Sequence, residues 1–157
     1  MKRIKLLIWA VVLIILDSSV THYIRIFDAV PVLTYAFVIC VAVMEEDFRL
    51  AVILGGVCGM LYGSLTGENF ESAFVVFALS AAIVNYVKSK YFFGLLKAIL
   101  RCAVLTAVGS AVMCFFNSGA VTAVPVILPV LYNSVAVLII YPVLEHTVYN
   151  PKKRSLI

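Results

Sequence analysis

Apolar residues in this chain neither alternate nor form a one-sided helical stripe; they run on. Six apolar stretches cover residues 4–23, 26–44, 50–65, 72–87, 98–116 and 120–144, and most charged residues cluster in the connections between them. A bilayer core of roughly 30 Å is crossed by about 20 helical residues, or somewhat fewer where the bilayer thins or flanking side chains snorkel. The pattern predicts an all-α membrane protein, a six-transmembrane-helix bundle, with residues 1–157 forming a single integral membrane domain. The third and fourth stretches, of about sixteen residues each, are either full spans or include one that is partly re-entrant. Connections of a few to about ten residues leave no room for a soluble catalytic or nucleic-acid-binding domain.

Composition agrees, since 64% of residues are apolar and only 13% charged, too few charges to coat a water-facing surface of this size. The placement of the charges sets an orientation. With a cytoplasmic N-terminus, Lys2, Arg3, Lys5, Arg49, Lys88, Lys90, Lys97, Arg101, Lys152, Lys153 and Arg154 fall inside, and Arg25 alone falls outside. Basic residues in short loops resist translocation, so this bias predicts a multi-pass protein with both termini cytoplasmic. The net charge of +4 is then a topological signal and predicts no nucleic-acid partner. Basic residues at span ends also meet anionic headgroups, so membrane lipids are the first expected partner. Leu16-Asp17-Ser18-Ser19-Val20 is a poor signal-peptidase site, which predicts an uncleaved first span. The segment 88–94, basic and aromatic together, suits the cytoplasmic interface.

Within the stretches a few positions carry information. Gly55, Gly59, Gly63 and Gly67 recur every four residues, with Gly56 beside them, and three consecutive members share one helix face. Such a face admits another backbone at close range, either inside the bundle or on a partner protein. Asp17, followed by Ser18 and Ser19, is the one acidic residue set well inside a stretch. A carboxyl at that depth must be neutral, paired or near water. With His22 and Arg25 on the same outer side, it belongs to a satisfied polar network, a ligand site or a partner contact. The last stretch holds Pro125, Pro129, Asn133 and Pro142; proline kinks a helix, and Asn133, one turn after Pro129, satisfies a freed carbonyl or ties to another helix.

Catalytic constellations are not among the motifs. No H-E-x-x-H, G-x-S-x-G, phosphate loop or aspartate pair occurs, and His22 and His146 fall on opposite sides of the membrane in this topology. Cys40, Cys58, Cys102 and Cys114 all lie in apolar stretches without a C-x-x-C, so they read as small hydrophobes. The expectation is a protein with no catalytic residue, no metal and no cofactor.

Three stretches resemble the rod shape-determining membrane protein family MreD. One is Ile127-Leu128-Pro129-Val130-Leu131-Tyr132-Asn133-Ser134, continuing to Tyr141-Pro142-Val143-Leu144. The second is Pro31-Val32-Leu33, opening the second stretch, and the third is the glycine-rich run from Gly55-Gly56 through Gly59-Met60-Leu61. Length, six spans and a basic C-terminal tail also agree. The chain departs from the family at Val32, where an aspartate is frequent, near Gly63, where another is, and at Phe70-Glu71, where the family often has Leu-Gly.

The resemblance implies a non-enzymatic subunit of the bacterial cell-elongation complex in the cytoplasmic membrane. Such a subunit works beside an MreC-like protein and the actin-like MreB, positions lateral peptidoglycan synthesis, and leaves room for a homo-oligomer. It implies packing or partner-contact roles for Gly55, Gly59, Gly63, Pro31, Pro129 and Asn133, with Asp17 as the intramembrane polar candidate. The family is similar in fold to the substrate-binding subunits of energy-coupling-factor transporters, which supplies an alternative function in vitamin or metal uptake. Those subunits often carry A-x-x-x-A in the first span; here Ala10 is followed at position 14 by isoleucine.

Overall fold

The structure, a computed structural model, describes residues 2–19, 32–66, 70–87, 94–118 and 124–149, with side chains described at 95, 96, 98–110 and 127–149 of the last two segments. Six α-helices account for nearly all of them: α1 Lys2–Ser19, α2 Leu33–Met44, α3 Phe48–Thr66, α4 Phe70–Tyr86, α5 Gly94–Ser118 and α6 Val124–Leu144. Each lies on one of the six apolar stretches. The short third and fourth stretches are continuous helices of 19 and 17 residues. By length and apolarity, Phe48–Thr66 and Ile127–Tyr149 are each sufficient to cross a membrane, while Leu33–Met44, Phe70–Tyr86 and Ala98–Ser110 are apolar and shorter. α1 is long enough but carries Lys2, Arg3, Lys5 and Asp17.

α6 does not stop where its apolar run does. It contains Pro129 and Pro142, and three residues after Pro142 the helix widens into a π-helical turn, Glu145–Tyr149. Proline removes an amide donor from the ladder, and wide turns are one way a helix absorbs that loss.

α2 sits at the centre. Its residues from Thr34 to Ala42 are all buried, as expected of a helix that is apolar on every side. α2 touches each of the other five helices, and those five form a ring around it in the order α1, α3, α4, α5, α6. The π-turn closes the ring by reaching α1.

Neighbours in sequence run antiparallel. Asp17 meets Leu33 while Lys2 meets Glu45, which fixes α1 against α2. Gly55 faces Phe77 and Ala81, Gly59 faces Ala73, and Gly63 faces Phe70, so α4 descends as α3 rises. α2 and α4 run parallel, with Tyr35 on Ser80 and Asn85 on Ala42. One end of the bundle therefore collects the start of α1, the end of α2, the start of α3, the end of α4 and the π-turn.

The glycine face is spent inside the molecule. A Cβ on Gly59 would stand 2.5 Å from the carbonyl oxygen of Ala73, and one on Gly63 would stand 2.6 Å from Cα of Phe70. Those obstacles are backbone, which cannot swing aside, so α3 and α4 touch main chain to main chain. Such close approach gains dispersion contacts that a side chain would prevent.

Polarity is distributed inside out. Asp17, Thr34, Glu45, Ser80, Asn85, Thr106 and Asn133 are buried, whereas large apolar side chains cover the outside. Ile4, Leu7, Ile8, Val11 and Ile15 line the outer face of α1, and Ile53, Leu79, Val104 and Ile139 stand out from α3, α4, α5 and α6.

Candidate functional site

All but one of these buried polar groups form two clusters, one at each end of α2. They answer a need that backbone chemistry creates. The first amides of a helix and its last carbonyls have no partner within the helix. Where a helix is enclosed on all sides, neighbouring elements must supply those partners.

At the α2 N-terminus the capping position is Val32, which has no side-chain oxygen to offer. Asp17 substitutes from α1. Its Oδ1 accepts the Leu33 amide at 2.9 Å, and its Oδ2 accepts both the Thr34 amide, at 2.7 Å, and the Thr34 hydroxyl. A carboxylate facing the positive end of a helix is also favoured by the helix dipole. Asn133 supplies the next bond from α6, its Oδ1 accepting the Val32 amide at 3.1 Å. The Asn133 amide then donates to Thr106 Oγ1 on α5 at 3.3 Å. Four helices thus meet at one knot, where Asp17 is 3% exposed and Asn133 2%.

Of the two roles expected for Asn133, this is the tie to another helix. The hydroxyl of the next residue, Ser134, donates to the Val130 carbonyl at 2.6 Å. Asp17 lies in a satisfied network whose described partners are Leu33 and Thr34. His22 and Arg25, the neighbours considered from sequence, lie outside the described residues, as does Pro31.

At the α2 C-terminus, Asn85 of α4 donates to the carbonyls of Ala42, at 3.0 Å, and Glu45, at 2.8 Å. The Glu45 carboxylate, 6% exposed, collects three donors. Lys2 Nζ approaches to 3.0 Å, the Tyr149 hydroxyl donates at 3.2 Å, and the Glu46 amide donates at 3.1 Å. Lys2 Nζ also lies 4.3 Å from the centre of the Tyr149 ring, a cation–π contact. Lys5 donates to the Thr147 carbonyl at 3.0 Å, binding the π-turn to α1 a second time. Beside this cluster is an open hollow of about 570 Å³ bordered by Lys2, Arg3, Glu45 and Asp47.

Between the two ends the contacts are mostly apolar. Tyr35 bonds Ser80 at 2.8 Å and meets the Phe77 ring edge-on at 5.1 Å, and Tyr62 stacks on Phe77 at 5.6 Å. Cys40, Cys58 and Cys102 are buried free thiols, and the Cys114 side chain lies outside the described set. Among the described residues, no three His, Cys, Asp or Glu side chains gather as metal ligands would.

What this arrangement does chemically is hold. Both Asp17 oxygens and both ends of the Asn133 amide are engaged by the protein itself. The sequence pointed to Asp17 and Asn133 separately; Thr34, Thr106, Asn85, Glu45 and Tyr149 were missed. Asn85, a lone amide closing an apolar run, carried the same kind of signal as Asn133. Compared with known proteins, the chain matches no family model, no curated protein and no solved structure.

Proposed function

We propose that this chain is a six-span integral membrane protein with both termini in the cytoplasm, and that it acts as a non-enzymatic assembly subunit of the MreD kind. Its work is to be a rigid intramembrane partner for an MreC-like protein in the machinery that positions lateral wall synthesis. The lipid setting is supported by the inside-out distribution. Apolar side chains facing outward on all five ring helices cost nothing against acyl chains, whereas buried amides and carboxylates must be paired. It is supported further by charge, because Lys2, Arg3, Lys5 and Arg49 all belong to the end where α2 finishes.

The observation that carries the assembly reading is the hydrogen bond from the Val32 amide to Asn133. Val32 stands in the stretch that opens the second apolar run, and Asn133 follows Pro129 in the last one. These are two of the three stretches on which the resemblance rests, 101 positions apart in the chain, and they touch. The third, the glycine run, forms the main-chain contact with α4. Motifs that bond to each other as a framework fit a protein whose activity is its shape.

Depletion in a rod-shaped host tests this. The expected result is cells that swell and round while vitamin uptake stays normal, with site-specific crosslinks from the outer apolar faces to an MreC-like protein. Unchanged cell form would sink the proposal, and lost uptake with copurifying transport ATPases would replace it with a transporter subunit.

A further inference from the structure

The seam between α4 and α5 is the loosest in the ring, and it opens to the outside as a groove of about 220 Å³. Ile83, Val84 and Val87 form one wall, and Leu100, Val104 and Leu105 the other. The rim faces outward, with Val104 61% exposed, while Val84 at the floor is buried. Among the described residues, the single charged side chain lining the groove is Arg101. Its guanidinium spans the seam, donating to the Val84 carbonyl at 2.7 Å and to the Val87 carbonyl, and so caps the last turn of α4. Arginine has five N–H donors in a planar fork suited to phosphate, so donors remain after these two bonds.

The stretch of sequence that supplies both walls carries charge of one sign. From residue 72 to residue 144 the sequence has no Asp or Glu, but it has Lys88, Lys90, Lys97 and Arg101. Lys88 directly follows Val87, and Lys97 precedes Arg101 by four positions in α5. At the same end of the bundle Lys2 is answered by Glu45. An apolar slot with a cation that pairs with no carboxylate among the described residues, at the level of a helix end, matches an acyl chain joined to an anionic headgroup.

We propose that the α4–α5 groove is a binding site for one anionic phospholipid of the cytoplasmic leaflet, with its phosphate on Arg101 and an acyl chain along Val84, Val87 and Val104. The site rests on the membrane reading above. The lipid would complete the ring where protein contact is thinnest.

Native mass spectrometry of the full chain, purified in detergent, tests it with phosphatidylglycerol and phosphatidylcholine of identical acyl chains. The wild type is expected to retain one phosphatidylglycerol at least about fivefold better than phosphatidylcholine, the worth of roughly one cation against an anionic headgroup. Arg101→Gln should erase that preference. Val104→Trp, which fills the groove and leaves the charge, should lose retention of both lipids, while Leu131→Trp on the exposed face of α6 should retain them as wild type does. Equal retention of the two lipids by the wild type overturns the site, as does wild-type behaviour of Val104→Trp. Displacement by free glycerol 3-phosphate overturns the lipid assignment in favour of a soluble phosphate. A chain that washes off membranes in carbonate overturns the membrane reading and the site together; one that stays embedded but shows no headgroup preference overturns the site alone.

Discussion

Thr34 gives both its amide and its hydroxyl to one oxygen of Asp17, across a gap of 17 positions in sequence. A residue on α1 therefore performs for α2 the service that a capping residue usually performs for its own helix. Asp17→Ala strands the Leu33 and Thr34 amides, and an unmet buried donor costs about 1–3 kcal/mol. The expected result is a large drop in thermal stability in detergent, read by the burial-sensitive reactivity of Cys40. Asp17→Asn should fall between, because it keeps one acceptor but turns a donor toward donors. An Asp17→Ala protein as stable as wild type would show that the cap is dispensable.

Two glycines make a matched pair of tests. Gly59→Ala drives a methyl into the Ala73 carbonyl, so overpacking should destabilise by about 2 kcal/mol or more. Gly109→Ala meets open space among the described residues and should be neutral or stabilising by up to about 1 kcal/mol, because alanine is the better helix former. Melting curves of the two variants that coincide would contradict the close contact between α3 and α4.

The Glu45 cluster predicts unequal losses. Lys2 has a side chain 44% exposed, so Lys2→Met should cost under about 1 kcal/mol, as surface ion pairs do. Glu45→Ala removes the shared acceptor of three donors and should cost more, about 1–3 kcal/mol. Tyr149→Phe combined with Lys2→Met should be less than additive, since both residues reach the same carboxylate. Strict additivity in that cycle would mean that the two contacts are independent.

Topology is checked by single cysteines in a cysteine-free background. Positions Glu68 and Asn117 should react with an impermeant thiol reagent from outside, and Glu46, Ser89 and Ser155 should not. Labelling at position 89 from outside would break the link between basic residues and the cytoplasmic face.

The helices were legible because apolar runs of this length leave few alternatives, and the glycine spacing announced a tight face. Which helix met that face was not legible, since a four-residue repeat names no partner. Asp17 stood out by cost, as any carboxyl in an apolar run does. Its use did not, because the need it answers lies in the Leu33 and Thr34 amides, which no side-chain pattern advertises. Thr34 and Thr106 escaped notice for a related reason: a hydroxyl in an apolar helix usually bonds its own preceding turn, as Thr147 does with Val143. The π-turn was hidden too, since Pro142 marks a disturbance without saying whether the helix ends or widens.

The enclosure of α2 constrains how the chain is made. α2 is synthesised second, yet four of the five helices that surround it come later. While the ribosome is still extending α3, most of α2, including the hydroxyl of Tyr35, whose partner Ser80 belongs to α4, has no protein cover. Among the described residues, the cap already made is Asp17. A hairpin of α1 and α2, pinned at that carboxylate, is thus the unit that must persist until α4, α5 and α6 are delivered. The last described bonds to the ends of α2, from Asn133 and Tyr149, come from α6 and the turn beyond it, so the bundle is sealed only when those two elements arrive.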